Sequence, residues 1–172
     1  MRILAIAGAL VLLSGAGWAQ QPARGTPPPP PPTDLTRGTA MNAAELHAAL
    51  AKLCNGQANA PVRVFTLAGG KSPYAVNVEH RTNQPQTAAI HETEAEMFYV
   101  IDGSATMVTG GKLVGETRNG ANLSGKSIEG GTPNKLAKGD FLMIPEGVAH
   151  WFSEIDPAGL NIMSIHFPRA KI

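Results

Sequence analysis

Short apolar segments separated by glycine, proline and asparagine turns fill the chain from Val62 onward. Several of them alternate apolar and polar residues, which is the period of a half-buried strand. The predicted strands are Val62–Leu67, Tyr74–His80, Thr87–His91, Met97–Ile101, Ala105–Val108, Lys112–Val114, Phe141–Ile144, His150–Ser153 and Asn161–Phe167. Many short strands with turn signals between them predict a β-sandwich or a closed β-barrel.

One segment before the strands has the period of a helix. Asn42 is a favourable N-cap and Glu45 follows three residues later, which predicts a capping box. Leu46, Leu50 and Leu53 then share one face, so the pattern predicts a helix over about 43–53. We expect this face to pack on the outside of a barrel or at a subunit contact.

The segment from Gly139 to His150 combines a turn, an apolar strand and a second turn that ends at a histidine. The spacing of its fixed residues resembles the second motif of the cupin superfamily. Five residues separate Gly139 from Pro145, one residue separates Pro145 from Gly147, and two residues separate Gly147 from His150. That motif usually ends in asparagine four residues after the histidine, where this chain has Glu154.

An upstream segment resembles the first cupin motif, although less closely. His91, Glu96 and Gly103 occupy three of its positions, while the position of its first histidine is Ala89. The resemblance spans roughly 75–167. It implies an all-β fold, the double-stranded β-helix or jelly-roll barrel of the cupins, with one short N-terminal helix.

The resemblance also implies a metal site in the barrel. In cupins two histidines and a carboxylate converge on a divalent metal, and here those residues are His91, Glu96 and His150. Imidazole and carboxylate ligands suit Fe, Mn, Ni, Cu or Zn, and the sequence does not choose among these metals. Many cupins have lost ligands and bind organic molecules without a metal, so Ala89 leaves that alternative open.

Four other ionisable residues could contribute to this site. His80 and His166, each in phase with apolar residues of its strand, could replace the missing histidine, although the usual fate of each is a hydrogen-bonded or solvated side chain. Glu92 and Glu94 alternate with Glu96, and we expect them to lie in solvent at the barrel mouth or to support the ligands.

The beginning of the chain predicts export. A basic residue, an apolar run and small residues before Ala19 are typical of a secretory signal peptide over residues 1–19. A proline-rich tether over residues 20–40 and a barrel domain over 41–172 follow. We therefore expect a secreted protein, located in the bacterial periplasm and without a membrane contact once the signal is cleaved.

Composition narrows the classes of partner and of chemistry. The formal net charge of +1 and the lack of a basic cluster argue against nucleic acid as a partner. Cys54 is the only cysteine, which excludes an intrachain disulfide and a thiolate metal site. A glycine-rich insertion over about 115–131 separates the motifs, and a lid, a binding loop and a hairpin tip remain open for it.

Two functions remain after these exclusions, with a third that rests only on the tether. The first is a cupin enzyme of oxygenase, isomerase or lyase type that acts on a small organic molecule. The second is a non-catalytic cupin that captures a small ligand or a metal. The third is a barrel that serves a structural or partner-binding role. Cupins commonly form homodimers through outer strands, and we expect either such an interface or a second sheet to cover Tyr99 and Trp151.

Overall fold

The computed structural model describes residues 40–53, 59–65 and 75–169. One helix, α1 (Ala43–Ala51), precedes the strands. The strands are β1 (Asn59–Phe65), β2 (Ala75–Arg81), β3 (Ala88–His91), β4 (Glu94–Thr109), β5 (Lys112–Val114), β6 (Thr117–Asn119), β7 (Asn122–Gly125), β8 (Ser127–Glu129), β9 (Thr132–Ala137), β10 (Phe141–Ile144) and β11 (His150–Pro168).

Antiparallel pairing connects nine of these strands into one continuous sheet. β1, β2, β11, β3, β7 and β6 follow each other in that order, and β4 pairs with β9, β10 and β11. β5 and β8 form a separate two-stranded ribbon. This arrangement confirms the predicted all-β jelly-roll barrel with one short helix.

β4 and β11 are each one long bent strand where the sequence predicted two short ones. The bend of β4 is at Gly103, whose φ is +89°, a conformation that only glycine adopts without steric cost. β11 bends opposite it, with an irregular register between Ile155 and Leu160 and with Gly159 at a φ of +95°. The two strands therefore pair with each other in both halves of the barrel, on either side of this irregular segment.

The main core fills the inside of the barrel at the level of this bend. Its members alternate along the strands with residues on the outer face, as the period of two requires. The buried residues are Phe98, Val100, Ala105, Met107, Leu136, Ile144, Phe152, Leu160 and Ile162.

The helix begins and packs as the sequence predicts. Asn42 accepts from the backbone N–H of Glu45, and the Glu45 carboxylate accepts in return from the backbone N–H of Asn42. Leu50 and Leu53 are buried against Val78 of β2, which places α1 on the outside of the barrel. His47 lies on the exposed side of α1.

Most of the glycine-rich insertion is ordered as short strands. β6 and β7 form a hairpin whose second strand pairs with β3 over all four residues from Ala88 to His91. β8 pairs with β5. The insertion is therefore an extension of the sheet beside the first motif.

Residues 1–39 and Cys54 lie outside the described residues, so the signal peptide, the tether up to residue 39 and the cysteine stay predictions. Among the residues that are described, no helix is long and apolar enough to cross a membrane.

Candidate metal centre

Four ionisable side chains meet at one end of the barrel around the carboxylate of Glu96. The Nε2 atoms of His91 and His150 lie 3.5 and 3.2 Å from its Oε2 atom, and that of His166 lies 3.1 Å from its Oε1 atom. The ring centroid of His91 is 5.3 Å from those of both His150 and His166. Three imidazoles therefore surround one carboxylate.

Strand register places these side chains together. His166 of β11 is directly opposite Glu96 of β4, and His150, at the start of β11, is opposite Ala89 of β3. The turn of the second motif docks on the first motif, because the backbone N–H of Gly147 donates to the carbonyl of His91 at 2.8 Å. The φ of +75° at Gly147 requires glycine in this turn.

Each Nδ1 atom of the three rings faces away from Glu96. His91 Nδ1 lies 2.8 Å from Asn122 Oδ1, and His150 Nδ1 lies 3.3 Å from the carbonyl of Val148. Because both oxygens can only accept, these two Nδ1 atoms carry a proton. The Nε2 atom that faces the centre then has a lone pair in a neutral ring and an N–H group in a protonated ring. His166 Nδ1 is 3.3 Å from Glu94 Oε1 but lacks hydrogen-bond alignment, and it is buried without a partner among the described residues.

The contacts within the cluster favour a negatively charged Glu96 and positively charged His91 and His166. Burial of Glu96 opposes ionisation, but hydrogen bonds from His150, His166 and His91 outweigh it and hold the pKa of this carboxyl far below its usual range. Burial of His91 and His166 likewise opposes their protonation. Hydrogen bonds and the negative charge of Glu96 outweigh that burial and raise the pKa of both histidines above 6.5.

The donor set fits a divalent metal ion. One ligand atom each from His91, Glu96 and His166 lies within 4.8 Å of the other two, and His150 joins the cluster through its contact with Glu96. Neutral Nε2 lone pairs that face a carboxylate at these distances repel it unless a cation lies between them. A proton can take this role, as the raised pKa values indicate, and a metal ion with imidazole and carboxylate ligands fits the same space.

The four further candidate residues from the sequence differ in whether they reach this cluster. His166 lies in the cluster, whereas His80 is on the opposite face of β2 from the cavity and hydrogen-bonds to Asn161 at 2.8 Å. Glu92 forms an exposed ion pair with Arg118 of the insertion, with oxygen–nitrogen distances of 2.7 and 2.9 Å. Glu94 supports the histidines from outside the cluster.

Of the two alternatives for Trp151, an interface or a second sheet, the structure supports the second sheet, since Trp151 packs against the cluster that includes Ile128 of β8. The Trp151 ring packs against the buried cluster of Ala88, Ile128 and Ala149, and its Nε1–H donates to the carbonyl of Gln86 at 2.9 Å. Internal packing therefore occupies this side chain. Tyr99 does lie on the outer surface, where it is 39% exposed.

A cavity of about 350 Å³ adjoins the four ionisable side chains. Its lining includes His91, Glu96, His150 and His166, with Phe98 and Phe152 beside them. The opposite wall is polar and was missed by the sequence analysis. Its residues are Asn77, Glu79, Arg81 and Gln86.

The alternation of polar and apolar residues in β2 indicates this polar wall. In β2 the residues Asn77, Glu79 and Arg81 alternate with Val76 and Val78, and Val78 is buried under α1 on the outside of the barrel. The period of two then places the polar residues inside. If the apolar residues of β2 are assumed to face the interior, the opposite face of β2 is predicted to line the cavity. This assumption made His80 a candidate and excluded Glu79.

Comparisons with known proteins give matches only among solved structures. No protein-family model matches the chain, and no curated protein matches it. The plu4264 protein from Photorhabdus luminescens is 15% identical with a TM-score of 0.46, over 78% of this chain and 88% of that one. KdgF from Halomonas sp. is 15% identical with a TM-score of 0.45, over 66% and 82%. Ectoine synthase from P. lautus is 12% identical with a TM-score of 0.47, over 70% and 76%.

At these identities and TM-scores the likenesses carry no argument about chemistry. The assignment depends on the chain itself, in which one antiparallel barrel brings the histidine of the second motif to the histidine and glutamate of the first. The protein therefore has a jelly-roll β-barrel in which the two motifs that resemble those of cupins meet.

Proposed function

We propose that this protein is a secreted mono-cupin that binds a divalent transition metal in its barrel and acts on a small organic molecule. The reaction is of oxygenase, isomerase or lyase type. The observation that carries the proposal is the convergence of three imidazole Nε2 atoms on the Glu96 carboxylate, within 3.1 to 3.5 Å, beside a cavity of about 350 Å³.

The residues of the chain have distinct roles in this proposal. His91, Glu96, His150 and His166 hold the ion, and Asn122 and Val148 fix the orientation of two of the rings. Phe98 and Phe152 exclude water from one side of the cavity, their rings meeting edge to face at 5.4 Å. A bound divalent metal would supply Lewis acidity toward a carbonyl or enolate oxygen of the substrate.

A non-catalytic binding protein is the second candidate, and one observation favours it. Besides Glu96, the described carboxylate that lines the cavity is Glu79, and both of its oxygens already accept hydrogen bonds from Ser164 and Arg81. A general base must direct an oxygen at the substrate proton, whereas three hydrogen bonds hold the Glu79 carboxylate in place. A paired Glu79 suits recognition of a ligand better than abstraction of a proton.

Secretion to the bacterial periplasm and assembly into a homodimer complete the proposal. The predicted signal peptide over residues 1–19 supports secretion. An apolar patch on the outer face of β4 and β10 supports the dimer, since Tyr99, Phe141 and Met143 are 39, 70 and 47% exposed there.

Elemental analysis of the purified protein tests the metal proposal. We expect about one transition metal per chain in the wild type, and a loss of most of it in each of His91→Ala, His150→Ala and His166→Ala. His47→Ala is the matched control, because His47 lies on the exposed side of α1 and should leave the metal content unchanged.

Two results would separate the candidates. A wild type that stays metal-free after anaerobic reconstitution with Fe(II), Mn(II), Ni(II), Cu(II) and Zn(II) would overturn the metal proposal. A loaded protein that turns over none of a panel of hydroxy acids, keto acids and enolisable ketones, with and without oxygen, would favour the binding protein.

A further inference from the structure

The polar wall opposite the metal centre is one continuous hydrogen-bonded chain. Asn77 Nδ2 donates to Ser164 Oγ at 3.3 Å, and Ser164 Oγ donates to Glu79 Oε1 at 2.6 Å. Arg81 donates to Glu79 Oε2 through Nη2 at 2.7 Å and through Nε at 3.1 Å. Arg81 Nη1 also donates to Gln86 Oε1 at 3.2 Å.

The charged pair at the centre of this network is largely buried. The side chains of Arg81 and Glu79 are 14 and 5% exposed, and desolvation of two charges is costly even when they are paired. The Arg81 guanidinium also stacks over the ring of Phe152 at 4.9 Å. Arg81 is thereby fixed in position, as a recognition group must be.

Arg81 keeps donor capacity for a ligand. A guanidinium has five N–H groups, and the contacts above use three of them. No described residue accepts from the other two, and Arg81 lines the same cavity as the metal-binding side chains. The wall therefore offers donors to an oxygen acceptor in the cavity.

The net charge at each end of the cavity determines which kind of ligand oxygen binds there. Glu79 cancels the charge of Arg81, so this wall is neutral as a whole and does not attract a carboxylate strongly. The other end differs, because a divalent cation with one carboxylate and three neutral imidazoles carries a net positive charge. The two ends of the cavity thus differ in the charge they prefer.

We infer that the ligand is a small molecule whose uncharged carbonyl group binds Arg81, while an anionic oxygen lies toward the metal. The part concerning the metal rests on the function proposed above. The volume of about 350 Å³ is near the lower end of ligand sites, which fits a small polar molecule. Glu79 acts as a positioning residue that sets the charge preference of Arg81.

Lactamide and lactate are suitable probes, because they share a three-carbon skeleton and differ in an amide against a carboxylate. Their binding is followed in the metal-free protein by the ¹⁵N–¹H signals of Arg81 Nε and Trp151 Nε1. We expect lactamide to shift the Arg81 signal with an affinity at least about tenfold above that of lactate. Because no metal is needed, failure of metal binding leaves this readout intact.

Glu79→Gln tests the role assigned to the carboxylate. This change leaves the Arg81 charge uncompensated, so the preference should reverse in favour of lactate by about tenfold, as expected for a charge-assisted hydrogen bond. Glu154→Gln removes the same charge from an exposed residue outside this cavity, and it should keep the wild-type order.

Three results would overturn the inference. They are the absence of an Arg81 shift with lactamide in the wild type, a wild-type preference for lactate at Arg81, and an unchanged order in Glu79→Gln. If Glu79→Gln does not fold, the neutral double variant Glu79→Gln/Arg81→Gln decides. It should lose the lactamide shift at Trp151, and retention of that shift would equally overturn the assignment.

Discussion

Asn122 Oδ1 accepts a hydrogen bond from His91 Nδ1 across 2.8 Å, and this contact joins the inter-motif hairpin to the candidate metal centre. The neighbouring backbone strengthens the junction, since the N–H of Glu92 donates to the carbonyl of Ala121 at 2.9 Å. The insertion therefore fixes the tautomer of a candidate metal ligand in the first motif.

Replacing Asn122 should weaken metal binding without removing any ligand. In Asn122→Ala the His91 ring loses the acceptor that fixes its orientation, and we expect metal affinity to fall about 10- to 100-fold. Competition with a fluorescent chelator measures the change. Asn119→Ala, in the same hairpin and also exposed, is the control, and an equal loss in both variants would contradict the role of Asn122.

His166 should be replaceable by a histidine at the position where the first motif lacks one. Ala89 lines the cavity and lies opposite His150 in the sheet. We expect His166→Ala to lose metal, and Ala89→His in that background to recover affinity by about tenfold or more, since an imidazole ligand counts for at least as much as its supporting hydrogen bond. Isothermal titration with Zn(II) measures both steps.

The result for the double variant is informative in either direction. Recovery would show that a histidine at position 89 and a histidine at position 166 bind the same ion from different strands. A double variant that binds no better than His166→Ala would contradict the equivalence of these two positions.

Metal uptake should weaken as the pH falls. The pKa values of His91 and His166 lie above 6.5, so protons occupy these nitrogens over a wider range than in a free imidazole. A bound metal needs both rings neutral, which means that affinity is highest above their raised pKa values and falls as the pH drops through them. Zn(II) titrations across this range check the sign, and an affinity independent of pH there would contradict it.

Two glycines with the same backbone conformation should differ in their tolerance of alanine. Gly103 and Gly139 have φ values of +89° and +92°, but a Cβ at Gly103 would lie 2.3 Å from the carbonyl oxygen of Gly159, whereas at Gly139 nothing lies within 4 Å. We expect Gly139→Ala to lower the free energy of unfolding by about 1–2 kcal/mol from the backbone alone.

Gly103→Ala should cost about 3 kcal/mol or more, because β4 and β11 must separate at their bend. Urea unfolding curves of the two variants measure the difference. Equal losses would show that the contact with Gly159 is relieved at little cost.

The fold was predictable because turn chemistry and apolar strands recur along the whole barrel. Phe141–Ile144 and Lys112–Val114 have the predicted bounds, and the capping box at Asn42 forms as expected. The continuity of β4 and β11 was not predictable. Glycine is unfavourable in strands, so Gly103 predicts the end of a strand, but here it only bends β4 because β11 continues beside it.

The site was predictable only as far as the motifs extend. His91, Glu96 and His150 follow from their spacing, whereas the contribution of His166 depends on the register of β11 against β4, a long-range property. An interface and a second sheet both remained open for Trp151, because period-two alternation predicts which face a residue occupies but not what covers that face. The role of the insertion was equally hidden, since nothing in its glycine-rich sequence indicates pairing with β3.

Both His150 and His166 belong to β11, the strand that pairs with β2, β3 and β4. An ion held by these two rings and by Glu96 would fasten the two ends of that strand to the rest of the sheet. Metal capture would then come late in folding, after the longest-range pairings have formed. Once loaded, the protein should unfold far more slowly, so that resistance to proteolysis over hours, more than the equilibrium midpoint, would report whether the ion is in place.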